Sequence, residues 1–260
     1  MCSTGIVFTG TLYRDGLTQR YRQTRKRGRK NKSYKAVRRA PRRRQQGGTD
    51  YGQISRIIIQ TSKEPIPEKN VTQLKGMATG WDYKYFSDDD IISFFRDTPN
   101  EEFPDMAGKF NSFTLGEHKA DLFRYYYLYM TGGVFMDSDL MAYDQLETII
   151  GKYSFVSVWA LRPEGSVFNG FLAAAPKHPI VYAALKDAYN TTNEQLQGEY
   201  TLFCKRMGGF VTENMGANVK MLKEKTNNDV FCTIEDPDSK KISLIHYQSM
   251  DIPDKAPTGV

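Results

Sequence analysis

Along the chain, short apolar runs alternate with longer amphipathic stretches, and their order predicts an α/β protein. Ile54 to Gln60 is β-branched and of strand length, and Thr61 and the breakers Pro65 and Pro67 close it. Tyr83 to Phe86 reads as a second strand, after which Ser87 caps a helix running through Arg96. Residues 117 to 130 contain no Gly or Pro and are rich in Ala, Leu, Tyr and Met; Gly132-Gly133 follows where a helix end needs a left-handed residue. Val134-Phe135-Met136 is then a short buried strand that runs into Asp137-Ser138-Asp139. Further strands are expected at Ser154 to Trp159, Val167 to Ala174 and Ile242 to Tyr247, with a helix from Pro179 to Tyr189 that carries Pro at its first position. Gly208-Gly209 and Gly216 punctuate a segment rich in Asn and Lys. The expected architecture is a mixed, mainly parallel sheet flanked by helices.

Composition changes this picture at one end. The chain has 260 residues, 40% hydrophobic and 13% aromatic, which suits one folded domain. Its net charge of +6 is unevenly placed. Residues 14 to 44 hold 15 of the 36 Lys and Arg against the single acid Asp15, so the remainder has 21 basic and 29 acidic residues, a net of −8. A segment so basic buries too little apolar surface to fold alone, and residues 1–50 are expected to form a disordered tail preceding a domain at 51–260. The tail would be drawn to nucleic acid or to an anionic membrane surface. No run approaches the roughly 20 apolar residues of a membrane helix. Met1 to Leu12 makes a poor signal peptide, and Cys2, Cys204 and Cys232 show neither CxxC nor Cys-His spacing, so reduced thiols and a cytoplasmic location are expected, with peripheral membrane contact through the tail. The sequons at Asn31, Asn70 and Asn190 carry little weight without a secretory signal.

The candidate chemistry lies between Lys119 and Leu140. Asp121 and Arg124, three apart on the expected helix, share a face, while Leu122, Phe123, Tyr126, Tyr127 and Met130 supply its apolar covering. In extended chain Asp137 and Asp139 project to one side and Ser138 to the other, a hard oxygen site suited to Mg²⁺ or Mn²⁺. Asp-x-Asp occurs twice more. Asp88 to Asp90 reads as a helix start and Asp236-Pro237-Asp238 as a turn, so Asp137 and Asp139 alone end a buried strand, where α/β sheets place ligands. A phosphatase of the haloacid dehalogenase type would need Thr or Val where Met141 stands. A non-catalytic binding protein, either a degenerate transferase or a nucleic-acid-associated factor acting through its basic tail, is the other rival. His118 and His178 read as helix-edge residues.

The pattern Lys-Ala-Asp-Leu-x-Arg-Tyr from Lys119, followed by Gly-Gly-Val-Phe-x-Asp-x-Asp, resembles the glycosyltransferases with a DXD sugar-binding region. These include inositol-phosphoceramide mannosyltransferases and the yeast initiating mannosyltransferase. The resemblance is best over residues 54–180 and fainter to about 250. It implies a GT-A (Rossmann-like) fold, Mn²⁺ or Mg²⁺, and transfer of a hexose such as mannose with retention. The donor would be a GDP- or UDP-sugar and the acceptor a glycan, lipid or protein. It further implies that Asp121 and Arg124 contact sugar hydroxyls, and that Asp137 and Asp139 bind the ribose, the sugar and the metal-diphosphate. Lys119, Gln60, Thr61 and Asn169 would belong to the donor site, and His246 would contact the metal or diphosphate. Ile59 and Ser62 stand where the family has His and Trp, and Met250 where many relatives have a second Trp, which puts base identity in doubt.

Overall fold

The structure is a computed structural model and describes residues 51–226 and 230–254. The expected basic tail, residues 1–50, lies outside the described residues. The elements are β1 (Ile57–Thr61), α1 (Glu68–Met77), β2 (Asp82–Phe86), α2 (Asp88–Asp97), α3 (Met106–Ser112), α4 (Gly116–Thr131), β3 (Gly133–Met136), β4 (Leu140–Ala142), α5 (Leu146–Ile150), β5 (Phe155–Trp159), β6 (Val167–Ala174), α6 (Pro179–Asn190), α7 (Asn193–Gly198), α8 (Leu202–Glu213), β7 (Val219–Thr226), β8 (Phe231–Glu235) and β9 (Ile242–Tyr247).

The elements expected from pattern form for the reasons that predicted them. Ser87 and Asp90 make a reciprocal capping box at the start of α2. α4 ends at Gly132, at φ +67°, whose N–H donates to Leu128 O. A Cβ there would lie 2.7 Å from Pro176 Cδ, and one on Gly133, at φ +119°, 2.7 Å from Ile57 Cγ2. The two glycines thus let α4 turn directly into β3.

The nine strands among the described residues join one sheet in the order β2-β1-β3-β6-β5-β7-β8-β9-β4. The α/β class and mixed sheet are as expected. Parallel pairing is confined to β1 with β2 and β3, and β5 with β7; the other neighbours are antiparallel, more than the mainly parallel order predicts. β6 runs antiparallel to both β3 and β5, and the hairpin β8–β9, closed by the expected Asp236–Ser239 turn, adds antiparallel pairs to β7 and β4. Alternation along the strands splits the core. Ile59, Phe135, Phe155 and Leu172 face α2, α3, α4, α6 and α8, while Ile58, Val134, Val156 and Ala173 face α1 and α5.

The sheet has to curl. β3 and β4 stand six strand spacings apart in its order, about 29 Å if flat at 4.7–4.9 Å per step. Only Asp137, Ser138 and Asp139 join them, and four residue steps reach at most about 14 Å. The sheet therefore bends until its β9–β4 edge comes back to the carboxyl end of β3, and the Asp-Ser-Asp segment is the clasp.

Two expectations are corrected. Gly208 and Gly209 lie within α8 instead of breaking the chain, because a Cβ on Gly208 would lie 1.9 Å from Gly165 O; glycine is what admits the loop before β6 against the helix. Cys232 carries a free thiol, with its pKa pushed up to about 11 by burial, but Cys204 is disulfide-bonded, contrary to reduced thiols throughout. Cys2 lies outside the described residues.

Candidate functional site

The Asp137–Asp139 segment is a turn, closed by Leu140 N–H donating to Asp137 O at 3.1 Å. Extended-chain alternation therefore does not apply, and the two carboxylates meet different neighbours. Asp137 Oδ1 lies 3.4 Å from Arg124 Nη2. Asp139 Oδ2 lies 3.7 Å from His246 Nε2 on β9, and Asp139 O accepts from Tyr247 N–H at 3.0 Å.

On the first side, α4 brings Asp121 and Arg124 together as their spacing requires, with Nε of Arg124 3.5 Å from Asp121 Oδ1. Both are buried, and the guanidinium lies 3.9 Å over the Phe135 ring and donates to Asn169 O. Asn169 Nδ2 donates to Asp121 Oδ1 at 3.0 Å and to the Tyr125 hydroxyl oxygen at 2.5 Å. Asn169 Oδ1 is buried with no hydrogen-bond partner. Burial raises the Asp121 pKa, opposed chiefly by Arg124. Burial acts to raise Asp137 as well, but Arg124 and then His246 pull it below the ordinary carboxylate value. Space for Asp137 comes from Gly170, where a Cβ would fall 2.6 Å from Asp137 Oδ2 and 2.2 Å from the Phe168 ring.

On the second side, His246 Nδ1 lies 3.3 Å from Glu224 Oε1, and its ring packs on Phe168 at 4.6 Å. Burial alone would lower the His246 pKa, yet the carboxylates of Asp139 and Glu224 raise it to about 9. Asp139 is buried, and its Oδ1 has no hydrogen-bond partner.

Gln60 also joins the cluster: its Nε2 donates to Asp137 O at 3.2 Å, and its Oε1 accepts from the Tyr83 hydroxyl at 3.1 Å. Thr61 ends β1, half-buried, on the opposite face of the strand. Lys119 is not brought to the cluster. Two residues from Asp121 on a helix, it points elsewhere, 3.6 Å from Asp88 and over the Phe110 ring. His178 caps α6, accepting from Ile180 N–H, and His118 packs in the core against Phe113 and Phe203. Sequence reading missed Tyr125 and Glu224. Tyr125 sits one turn from Asp121 inside a run of tyrosines, and Glu224 alternates with Leu222 on one face of β7, a charge at a position patterned as buried.

A hard divalent cation fits this donor set as an open site. Asp139 presents an unsatisfied buried oxygen, which a cation would satisfy, and its other oxygen lies 3.7 Å from the His246 imidazole. Among the described residues, no group of three or more His, Cys, Asp or Glu forms a ready-made metal cage. Phosphate oxygens and water would have to complete the coordination.

Comparison with known proteins points to the same stretch. Residues 57–156 match the family described as "Glycosyltransferase sugar-binding region containing DXD motif". Inositol phosphoceramide mannosyltransferase 1 of Schizosaccharomyces pombe is 32% identical over 139 residues, covering 51% of this chain and 42% of that protein. Mannosyl phosphorylinositol ceramide synthase SUR1 of Saccharomyces cerevisiae is 31% identical over 137 residues, covering 51% of this chain and 34% of that protein. Both matches span less than half the length of these relatives. A solved structure titled "PaToxG Glycosyltransferase" aligns at a TM-score of 0.42 with 13% identity, over 62% of this chain and 69% of that one, too loosely to add to the fold. No helix among the described residues is long and apolar enough to cross a membrane.

Proposed function

We propose that the domain at residues 51–260 is a metal-dependent, retaining glycosyltransferase that moves a hexose, mannose being our first choice, from a GDP- or UDP-sugar to a glycan, lipid or protein acceptor. The observation that carries this is the pair of buried, unpartnered acceptors, Asn169 Oδ1 and Asp139 Oδ1, on the two sides of the Asp137–Asp139 turn within and just after the matched region. A sugar hydroxyl would satisfy the first and a cation the second. The relatives' names favour mannose and a lipid acceptor.

In this reading a bound Mn²⁺ or Mg²⁺ supplies Lewis-acid neutralisation of the departing diphosphate. Asp139, with Asp137 and His246, holds that ion. Asn169 and Asp121 orient the transferred hexose, and Gln60 lines the donor site beside them, whereas Thr61 faces the other side of β1. Arg124 acts mainly by fixing Asp121, Asp137 and the Asn169 carbonyl, since its guanidinium is already engaged by all three. The barrier is lowered by positioning and electrostatics, and no covalent nucleophile is required. We assign residues 1–50 as a separate basic tail that contacts an anionic membrane surface or nucleic acid. A cytoplasmic location agrees with that charge, and the disulfide at Cys204 weighs against it.

The test is release of nucleoside diphosphate from a panel of UDP- and GDP-sugars with Mn²⁺, comparing wild type with Asp139→Ala. Metal-dependent release from one donor, lost in the variant, is the expected result. Failure of every donor to turn over or to raise the melting temperature would remove the reading.

A further inference from the structure

Glu224 is 2% exposed, and among the described residues no Lys or Arg pairs with it. Both of its oxygens are used. Oε1 faces His246 Nδ1 at 3.3 Å, and Oε2 accepts the Leu161 N–H at 2.9 Å. A carboxylate at one imidazole nitrogen fixes the tautomer and the ring's direction, leaving the other nitrogen to coordinate. Here the other nitrogen, Nε2, points at Asp139 Oδ2 across 3.7 Å. That gap is too long for a hydrogen bond and shorter than two metal–ligand bonds of about 2.1 Å end to end, so one ion can touch both atoms. Phe168 packed on the ring restricts it further.

We propose that Glu224 is a positioning residue of the divalent-cation site, holding a proton on His246 Nδ1 so that Nε2 is presented beside Asp139. This rests on the metal-dependent reading above and assigns a role to a residue that lies outside residues 57–156. Through the Leu161 N–H, the same carboxylate sets the loop between β5 and β6, whose far end seats on Gly208. Loop and cation site are thus registered by one side chain.

The experiment is a double-mutant cycle on Mn²⁺ binding, read as free Mn²⁺ by electron paramagnetic resonance, for wild type, Glu224→Gln, His246→Ala and the double variant. Glu224→Gln should weaken Mn²⁺ by roughly 10–100-fold and add nothing in the His246→Ala background. Unchanged affinity in Glu224→Gln, or an equal loss with and without His246, would overturn the inference while leaving the metal reading in place. A wild type that binds no Mn²⁺ would defeat both. Should Glu224→Gln not fold, nitrogen shifts of His246 in Mg²⁺-loaded wild type decide: protonated Nδ1 with bare Nε2 supports the role, and protonated Nε2 contradicts it.

Discussion

Asp137 and Asp139 are one residue apart, yet they belong to opposite ends of the sheet. Asp137 closes the β1–β3 end, against Arg124 of α4 and with its backbone carbonyl held by Gln60. Asp139 meets the β9 end, against His246, and keeps one buried oxygen unsatisfied. The first carboxylate is held by the Arg124 guanidinium, while one oxygen of the second has no hydrogen-bond partner; in the reading proposed above, a cation would satisfy it. A DXD motif here is therefore not a pair of equivalent ligands. It is a clasp whose first arm is held by Arg124 and whose second faces His246 with one oxygen unsatisfied, and the curl of the sheet makes the division.

The largest effect should come from removing the group that distinguishes the two arms. Arg124→Ala leaves the Asp121 and Asp137 carboxylates buried without their cation and should cost about 3–5 kcal/mol in chemical denaturation. A loss below about 1 kcal/mol would mean Asp137 is not locked as described. Next, Asp139→Asn should reduce donor turnover by roughly 10³-fold at a smaller loss of stability than Asp137→Asn, because Glu224 remains against His246. Equal behaviour of the two variants would break the comparison. Gly170→Ala pushes a methyl into the Phe168 ring and Asp137 Oδ2, and should cost about 1–3 kcal/mol, with turnover reduced through Asp137.

A pH background underlies all of these effects, spread over more than two pH units. Burial holds His178 down to about 4, against an ordinary value near 6.5. Between these values the unfolded chain binds a proton that the folded chain does not, so stability falls as pH drops from about 6.5 toward 4. His178→Gln should flatten that slope, by at most about 1.4 kcal/mol per pH unit, in denaturation series at fixed ionic strength.

Local pattern was enough for elements whose residues state their own surroundings. The apolar run of β6 and the Pro-led α6 fall where expected, and β9 runs over the expected Ile242–Tyr247. Asp121 with Arg124 was legible because helix spacing alone puts them on one face. What stayed hidden depends on chain segments far apart in sequence. Gly208 looks like a breaker until Gly165 is packed against it. Glu224, set between Lys223 and Lys225, shows no local sign of its partner until β9 places His246 beside it. Nothing between Val134 and Leu140 announces that β4 joins the far edge of the sheet, and so the unequal fates of Asp137 and Asp139 could not be read there.

The most direct test of the unequal clasp is calorimetric titration of GDP and UDP, with and without Mn²⁺, into wild type, Asp137→Asn and Asp139→Asn. The account predicts Mn²⁺-dependent binding of one nucleoside diphosphate that Asp139→Asn abolishes and a folded Asp137→Asn weakens less. Binding that is indifferent to Mn²⁺, or that survives Asp139→Asn intact, would contradict it.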